Sequence, residues 1–133
     1  MTAPLVVLDA SVGVKWFKDE PGSDEASGLL RSHGRGELRL VVPVVFMHEV
    51  LDVARRRLGP ETARALLARL DREALAVIDA DTAFLDAALV TAARLGCSVY
   101  DAAAPTLAQL LGVQLVSADS RAHSTFPGVR LIG

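Results

Sequence analysis

At 133 residues and 51% hydrophobic content, the chain has the size and make-up of one globular domain that buries its own core, which excludes a disordered segment. A net charge of -2 excludes a broad basic grip on nucleic acid and an aromatic content of 5% excludes a base-stacking platform, while an enzyme that engages phosphate through bound cations is left open. The single cysteine, Cys97, has no CxxC companion, which excludes a disulfide framework and a thiolate zinc site and fits a reducing cytoplasm.

In chain order, Leu5-Val6-Val7-Leu8 is a short apolar run closed by Asp9, the pattern of a buried parallel strand with Asp9 at its carboxyl end. Ala10 to Phe17 has helical spacing with Val12 and Trp16 inward. Pro21-Gly22 punctuates, Ser23-Asp24-Glu25 reads as a cap with an acidic first turn, and a helix follows through Ser32 to Gly34, with His33 at its exposed end. Leu38 to Val42 is a second strand. Pro43 suits the first turn of a helix to about Arg57, which carries Glu49 at mid-length and stops at Gly59-Pro60. Glu61 to Leu70 is an amphipathic helix, Ala74 to Ile78 a third strand, and Asp81-Thr82 opens a helix through Leu95 ended by Gly96. Ser98 and Asp101 have the form of a capping box before a helix to Leu111; Val113 to Val116 is a fourth strand and Val129 to Ile132 a fifth.

This alternation predicts a single domain over residues 1–133, a three-layer α/β/α sandwich on a parallel sheet of four to five strands, with ligands gathered at the carboxyl ends of the strands. No basic stretch leads into an apolar run at the N-terminus, and no apolar run approaches the roughly 18 residues of a membrane span, so neither export nor membrane insertion is expected.

Four acids interrupt hydrophobic segments: Asp9, Glu49, Asp101 and Asp119, the last after Leu115-Val116-Ser117-Ala118. Burying a carboxylate costs several kcal/mol unless a positive charge meets it, and no lysine or arginine pattern runs alongside these four. Like charges about 4 Å apart repel by on the order of 4 kcal/mol at intermediate dielectric, so converging carboxylates call for a divalent cation, and oxygen-only ligands select Mg²⁺ or Mn²⁺. The chemistry implied is metal-assisted hydrolysis of a phosphodiester. Each acid also has a bland reading. Asp9 has the form of a helix N-cap, Glu49 of a solvent-facing helix position, Asp101 of the capping-box acid, and Asp119 of a turn residue. Their joint arrangement carries the inference.

Val7-Leu8-Asp9-Ala10-Ser11-Val12, Pro43 to Glu49, Tyr100-Asp101-Ala102-Ala103 with Leu107-Ala108, and Leu115-Val116-Ser117-Ala118-Asp119 together resemble, over nearly the whole chain and in order, the PIN-domain ribonucleases, especially VapC toxins of toxin–antitoxin pairs. The resemblance implies an endoribonuclease in which Asp9, Glu49, Asp101 and Asp119 hold Mg²⁺ or Mn²⁺ and cleave RNA. Asp9 and Asp101 would be the direct ligands, with Ser11 and Ser117 as supporting hydroxyls. It also implies a VapB-type antitoxin as partner, a homodimer and a cytoplasmic location.

Three departures bear on this. Family members often carry a further acid after the fourth motif, where this chain has Ser120-Arg121-Ala122-His123, so one metal ion is expected rather than two. Pro105 removes the helical bond to the carbonyl of Asp101, so a kink is expected there. Asp52 stands where asparagine is frequent, either adding charge near the site or lying as a solvated surface acid. Arg55-Arg56-Arg57 suits a helix C-terminus, and Trp16-Phe17 suits core or a dimer contact. Lys15, Arg121 and His123 are minor candidates for substrate contact, and the three histidines, lacking ligand spacing, are assigned to structure or surface. Two rivals remain. A phospho-receiver domain shares the alternating pattern but needs paired acids after strand 1 and a lysine after the fifth strand, which the chain lacks; a catalytically silent protein-binding domain is kept open by the missing acid and Pro105.

Overall fold

Five short strands form in the computed structural model, which describes residues 2–133: β1 (Leu5–Leu8), β2 (Arg39–Pro43), β3 (Ala76–Ile78), β4 (Gln114–Ser117) and β5 (Val129–Leu131). All four neighbouring pairs are parallel, in the order β3-β2-β1-β4-β5. The helices are α1 (Ala10–Gly13), continued by a 3-10 turn over Val14–Trp16, then α2 (Ser23–Gly34), α3 (Val44–Leu58), α4 (Pro60–Glu73), α5 (Thr82–Leu95), α6 (Val99–Leu111) and α7 (Ser120–His123). Phospho-receiver domains order their sheet 2-1-3-4-5, so the observed order excludes that rival.

The period of two along each central strand divides the molecule into layers. Val6 and Leu8, Leu40 and Val42, and Val116 face one way and pack with α1 to α4; Val7, Val41 and Leu115 face the other way and pack with Phe84 and Ala88 of α5 and Ala103, Ala104 and Leu107 of α6. The fold is therefore the expected three-layer α/β/α sandwich, with a separate core on each face of the sheet. From β1 the chain turns toward β2 and from β4 toward β5, so the carboxyl ends of these two adjacent central strands form the topological switch point, where such sheets open a crevice. Among the described residues no single helix is long and apolar enough to cross a membrane.

Several local expectations need correcting. The helix expected over Ala10 to Phe17 is one α turn followed by a 3-10 turn, and Trp16 packs edge-on to Phe46 with ring centroids 5.8 Å apart. Ser23 is the first residue of α2, not its cap: its hydroxyl donates to the Lys18 carbonyl and accepts from the Glu20 N–H, closing the preceding loop instead. His33 is buried rather than exposed, because its ring accepts from the Leu40 N–H and its Nε2 meets the Glu73 carbonyl at 2.7 Å, tying α2 to β2 and to the end of α4. Pro43 ends β2 and caps α3 from outside the first turn, and β3 starts two residues late because Ala74 takes a left-handed conformation, φ 55°, that closes α4.

Gly13 sets how closely α1 approaches α3. A Cβ there would lie 2.6 Å from the Phe46 ring and 2.7 Å from Val50, both fully buried and unable to yield. Since α1 follows Asp9 and α3 carries Glu49, this contact fixes the gap between two of the acids. Gly13→Ala should lower stability by about 1–3 kcal/mol through overpacking, read from urea unfolding in metal-free buffer.

Candidate active site

The four acids arrive at the carboxyl edge of the sheet from different layers. Asp9 follows β1 and Asp119 follows β4, both in the sheet layer, while α3 brings Glu49 from one face and α6 brings Asp101 from the other. Asp9 is mostly buried, its side chain 13% exposed; Glu49, Asp101 and Asp119 are half-buried.

Local hydrogen bonds fix each acid before any ligand is considered. Asp9 Oδ2 caps α1 by accepting from the Ser11 N–H at 3.1 Å and from the Ser11 hydroxyl. Ser11 Oγ in turn accepts from the Ala118 N–H at 2.9 Å, joining the exit of β1 to that of β4. Ser117, the buried last residue of β4, accepts from the Asp119 N–H at 3.0 Å and stands 2.7 Å from His123 Nδ1. Asp119 Oδ1 caps α7 through the Ala122 N–H at 3.1 Å. The bland readings of Asp9 and Asp119 as caps are therefore correct as far as they go, but each uses one carboxylate oxygen and leaves the other without a hydrogen bond among the described residues. At Asp101 the capping box is half-built: Ser98 Oγ accepts from the Asp101 N–H at 3.0 Å, and the Asp101 carboxylate makes no return bond among the described residues.

The electrostatics show which acids share space. Glu49 has its pKa pushed from 4.5 up to about 7, first by burial and then by the charges of Asp9 and Asp101, with a smaller opposing influence from His123. The Cys97 thiol is raised by burial and then by Asp101 and Asp119. Asp101 thus acts on Glu49 together with Asp9, and on Cys97 together with Asp119. The donor set is all carboxylate and hydroxyl oxygen, which fits a hard cation. Among the described residues, however, no three Asp, Glu, His or Cys side chains stand close enough to form a ready-made ligand cage. That combination fits an ion held by one or two carboxylates and completed by water, the habit of Mg²⁺, better than an all-protein cage.

Other candidates are sorted by burial and pairing. Asp52 is an exposed acid bonded to Arg55 and Arg56, and the Arg55 guanidinium foremost holds its carboxyl below the usual range; it belongs to the surface. Lys15 is buried on Glu20 and the Pro21 carbonyl, and His123 is fully enclosed, so neither contacts substrate; Arg121 is exposed and His48 lies on the surface of α3. His123 is structural, as assigned from the sequence, but the partner it serves was not foreseen. Its Nε2 stands 2.7 Å from the backbone carbonyl of Asp101, the group that Pro105 deprives of a helical donor, and α6 is continuous from Val99 to Leu111. The available signal was the orphaned carbonyl itself, since a buried carbonyl must find a donor somewhere. Beside the acids, a cleft of about 700 Å³ runs between α3 and α4, bordered by Glu49, Leu51, Ala63, Leu67 and Tyr100.

A family model described as PIN domain matches residues 6–126 of this chain. No curated protein matches it. Among solved structures, VapBC2 from Rickettsia felis, bound to a DNA fragment from its promoter, superposes with a TM-score of 0.75 at 12% identity, covering 97% of this chain and 99% of that one. Mycobacterium tuberculosis VapC20, a toxin that cleaves the sarcin–ricin loop, gives 0.74 at 16% identity over 96% and 99%. DNA-bound VapBC from Salmonella typhimurium gives 0.67 at 23% identity over 96% of each chain. At these identities the structures establish a shared fold.

The raised pKa of Glu49 has a definite sign in folding. Between its ordinary value of 4.5 and about 7 the folded protein keeps a proton that the unfolded chain has released, so this group's stabilisation is complete below 4.5 and is lost as pH rises to about 7. In EDTA the melting temperature should fall across that window, and Glu49→Gln should flatten the fall and melt above wild type at pH 8. Calorimetry on both proteins from pH 4.5 to 8 checks this, and unchanged profiles would contradict the clustering of the acids.

Proposed function

Because the chain belongs to the PIN domain family, we propose that it is a Mg²⁺- or Mn²⁺-dependent endoribonuclease whose site is built from Asp9, Glu49, Asp101 and Asp119. The observation that carries this reading is the arrival of the four acids at one edge of the sheet, where Glu49 is raised first by burial and then by the charges of Asp9 and Asp101, with no lysine or arginine among the causes. Asp9 and Asp101 are the direct ligands in this reading. Asp9 offers the oxygen not used by Ser11, and Asp101 offers its whole carboxylate. When bound there, a divalent ion supplies a water of lowered pKa and neutralises charge on the phosphoryl oxygens. Glu49, half-buried beside Asp9 and Asp101, would orient the attacking water or accept its proton. Asp119 orients water with its free oxygen, and Ser11 and Ser117 hold the exits of β1 and β4 in register.

The toxin reading rests on the structural neighbours, which include VapBC toxin–antitoxin complexes. A VapB-type antitoxin is the proposed partner, and the largely apolar cleft between α3 and α4, open beside Glu49, offers it a seat next to the acids. The exposed Leu85, Leu89 and Val90 on α5 support a homodimer. The absence of a preformed trio of metal donors among the described residues, compatible with a water-completed ion, is equally compatible with the silent protein-binding alternative.

The two readings part on one experiment. Purified protein with structured RNA and Mg²⁺ or Mn²⁺ should cleave it, lose activity in EDTA, and lose at least about a hundredfold in Asp9→Asn and Asp101→Asn, equivalent to roughly 3 kcal/mol of transition-state stabilisation. Absence of cleavage by wild type with either metal would favour the binding module, and equal cleavage by the variants would remove the acids from the site.

A further inference from the structure

Pro105 and His123 lie on different elements, yet they meet at one atom, the backbone carbonyl oxygen of Asp101. In an uninterrupted helix that oxygen accepts from the N–H of residue 105, which proline lacks. It lies against buried neighbours, since Ala102 to Ala108 and His123 are all buried, which limits what else can replace the lost donor. His123 Nε2 lies 2.7 Å from it. A carbonyl only accepts, so Nε2 carries the proton, and Nδ1 is left to accept from the Ser117 hydroxyl 2.7 Å away. Ser117 Oγ accepts in turn from the Asp119 N–H. The ring is fully enclosed, and its Nδ1 lies 4.0 Å from Asp9 Oδ2.

We propose that His123 is a positioning residue that takes over the bond Pro105 abolishes, and so locks the Asp101 turn of α6 to the β4 exit that carries Ser117 and Asp119. The consequence is geometric. Among the described residues the Asp101 carboxylate, like that of Glu49, has no hydrogen bond, and the cross-element bond that reaches the Asp101 backbone is the one from His123. Removing the imidazole leaves a buried carbonyl unpaired and frees the first turns of α6 to shift relative to Asp9 and Asp119, which spoils the spacing of the acids without touching any of them.

This inference rests on the acids forming a metal site, and a double-mutant cycle separates its failure from the failure of that reading. Mn²⁺ alone is the probe, titrated calorimetrically well below each variant's melting temperature, beside thermal unfolding in EDTA, which needs neither metal nor RNA. His123→Ala should weaken Mn²⁺ binding by about tenfold or more, the usual cost of losing an orienting partner behind a ligand. His123→Gln, which keeps an N–H at the Nε2 position and an acceptor beside it, should restore most of the affinity. Pro105→Ala returns a helical N–H to the carbonyl, so adding His123→Ala in that background should cost at least roughly threefold less than it does in wild type, in affinity and in unfolding alike.

Equal losses in both backgrounds overturn the proposal, because the ring would then act by some route other than the carbonyl. So does undiminished Mn²⁺ affinity in His123→Ala. If His123→Ala does not fold, recovery of folding on adding Pro105→Ala supports the brace, and a double variant that stays unfolded overturns it. Wild type that binds no Mn²⁺ defeats the metal reading, while the unfolding cycle in EDTA still decides whether the brace exists.

Discussion

Carboxylates that gather at one half-buried edge of the sheet, with no lysine or arginine among the charges acting on Glu49, set the constraint that the rest of this fold serves. Left free, such groups would swing apart into water, since repulsion at short range is worth several kcal/mol and a surface acid loses little by moving. They are prevented from doing so by their attachment. Asp9 is pinned by Ser11, Asp119 by the first turn of α7, and Asp101 by its place in the first turn of α6, while Glu49 sits on a helix wedged against Gly13. The two hydrophobic cores on either face of the sheet hold these attachments in place. Burial first, and then the charges of Asp9 and Asp101, appear together as the raised pKa of Glu49.

Capping and ligation are usually treated as competing explanations for an acid near a helix start, and here they coincide. A carboxylate has two oxygens, and a cap needs one. Asp81 shows what capping alone looks like: its Oδ1 accepts from the Phe84 N–H at 2.8 Å to start α5, yet it follows the edge strand β3 and is exposed. Asp9 performs the same local task at the end of a central strand in a 13% exposed position. What separates the two is the place of their strands in the sheet, and sheet order is not a local property of sequence.

That difference explains what was legible in the chain and what was not. The strands could be read because Val6, Val7 and Leu8 form a run that is apolar on both faces, as a sheet covered on both sides demands. The helix ends at Gly96 and Gly112 could be read because both glycines take left-handed conformations, φ 68° and 66°. The four acids could be read because each interrupts a hydrophobic segment. His33 and His123 could not, because nothing local separates a histidine at the end of a helix in water from one enclosed by partners many positions away. His33 finds Glu73, and His123 finds Asp101. Pro105 has the same two sides: the loss of a donor is local and legible, but the group that replaces it comes from α7.

The positive charges of α3 complete the account of why the crevice stays acidic. Three residues after Glu49 the helix places Asp52 on its exposed side, where Arg55 and Arg56 close onto it at 3.0 and 3.2 Å. These exposed pairs add little to stability, as surface ion pairs generally do. Their effect is directional: two guanidinium groups on the same helix as Glu49 are occupied on the solvent side. No arginine accordingly appears among the influences on the Glu49 pKa, whose causes are burial and its fellow acids, opposed only by His123. Within the chain, that acidity is relieved by a proton on Glu49; in the proposed function, a divalent ion from outside takes its place.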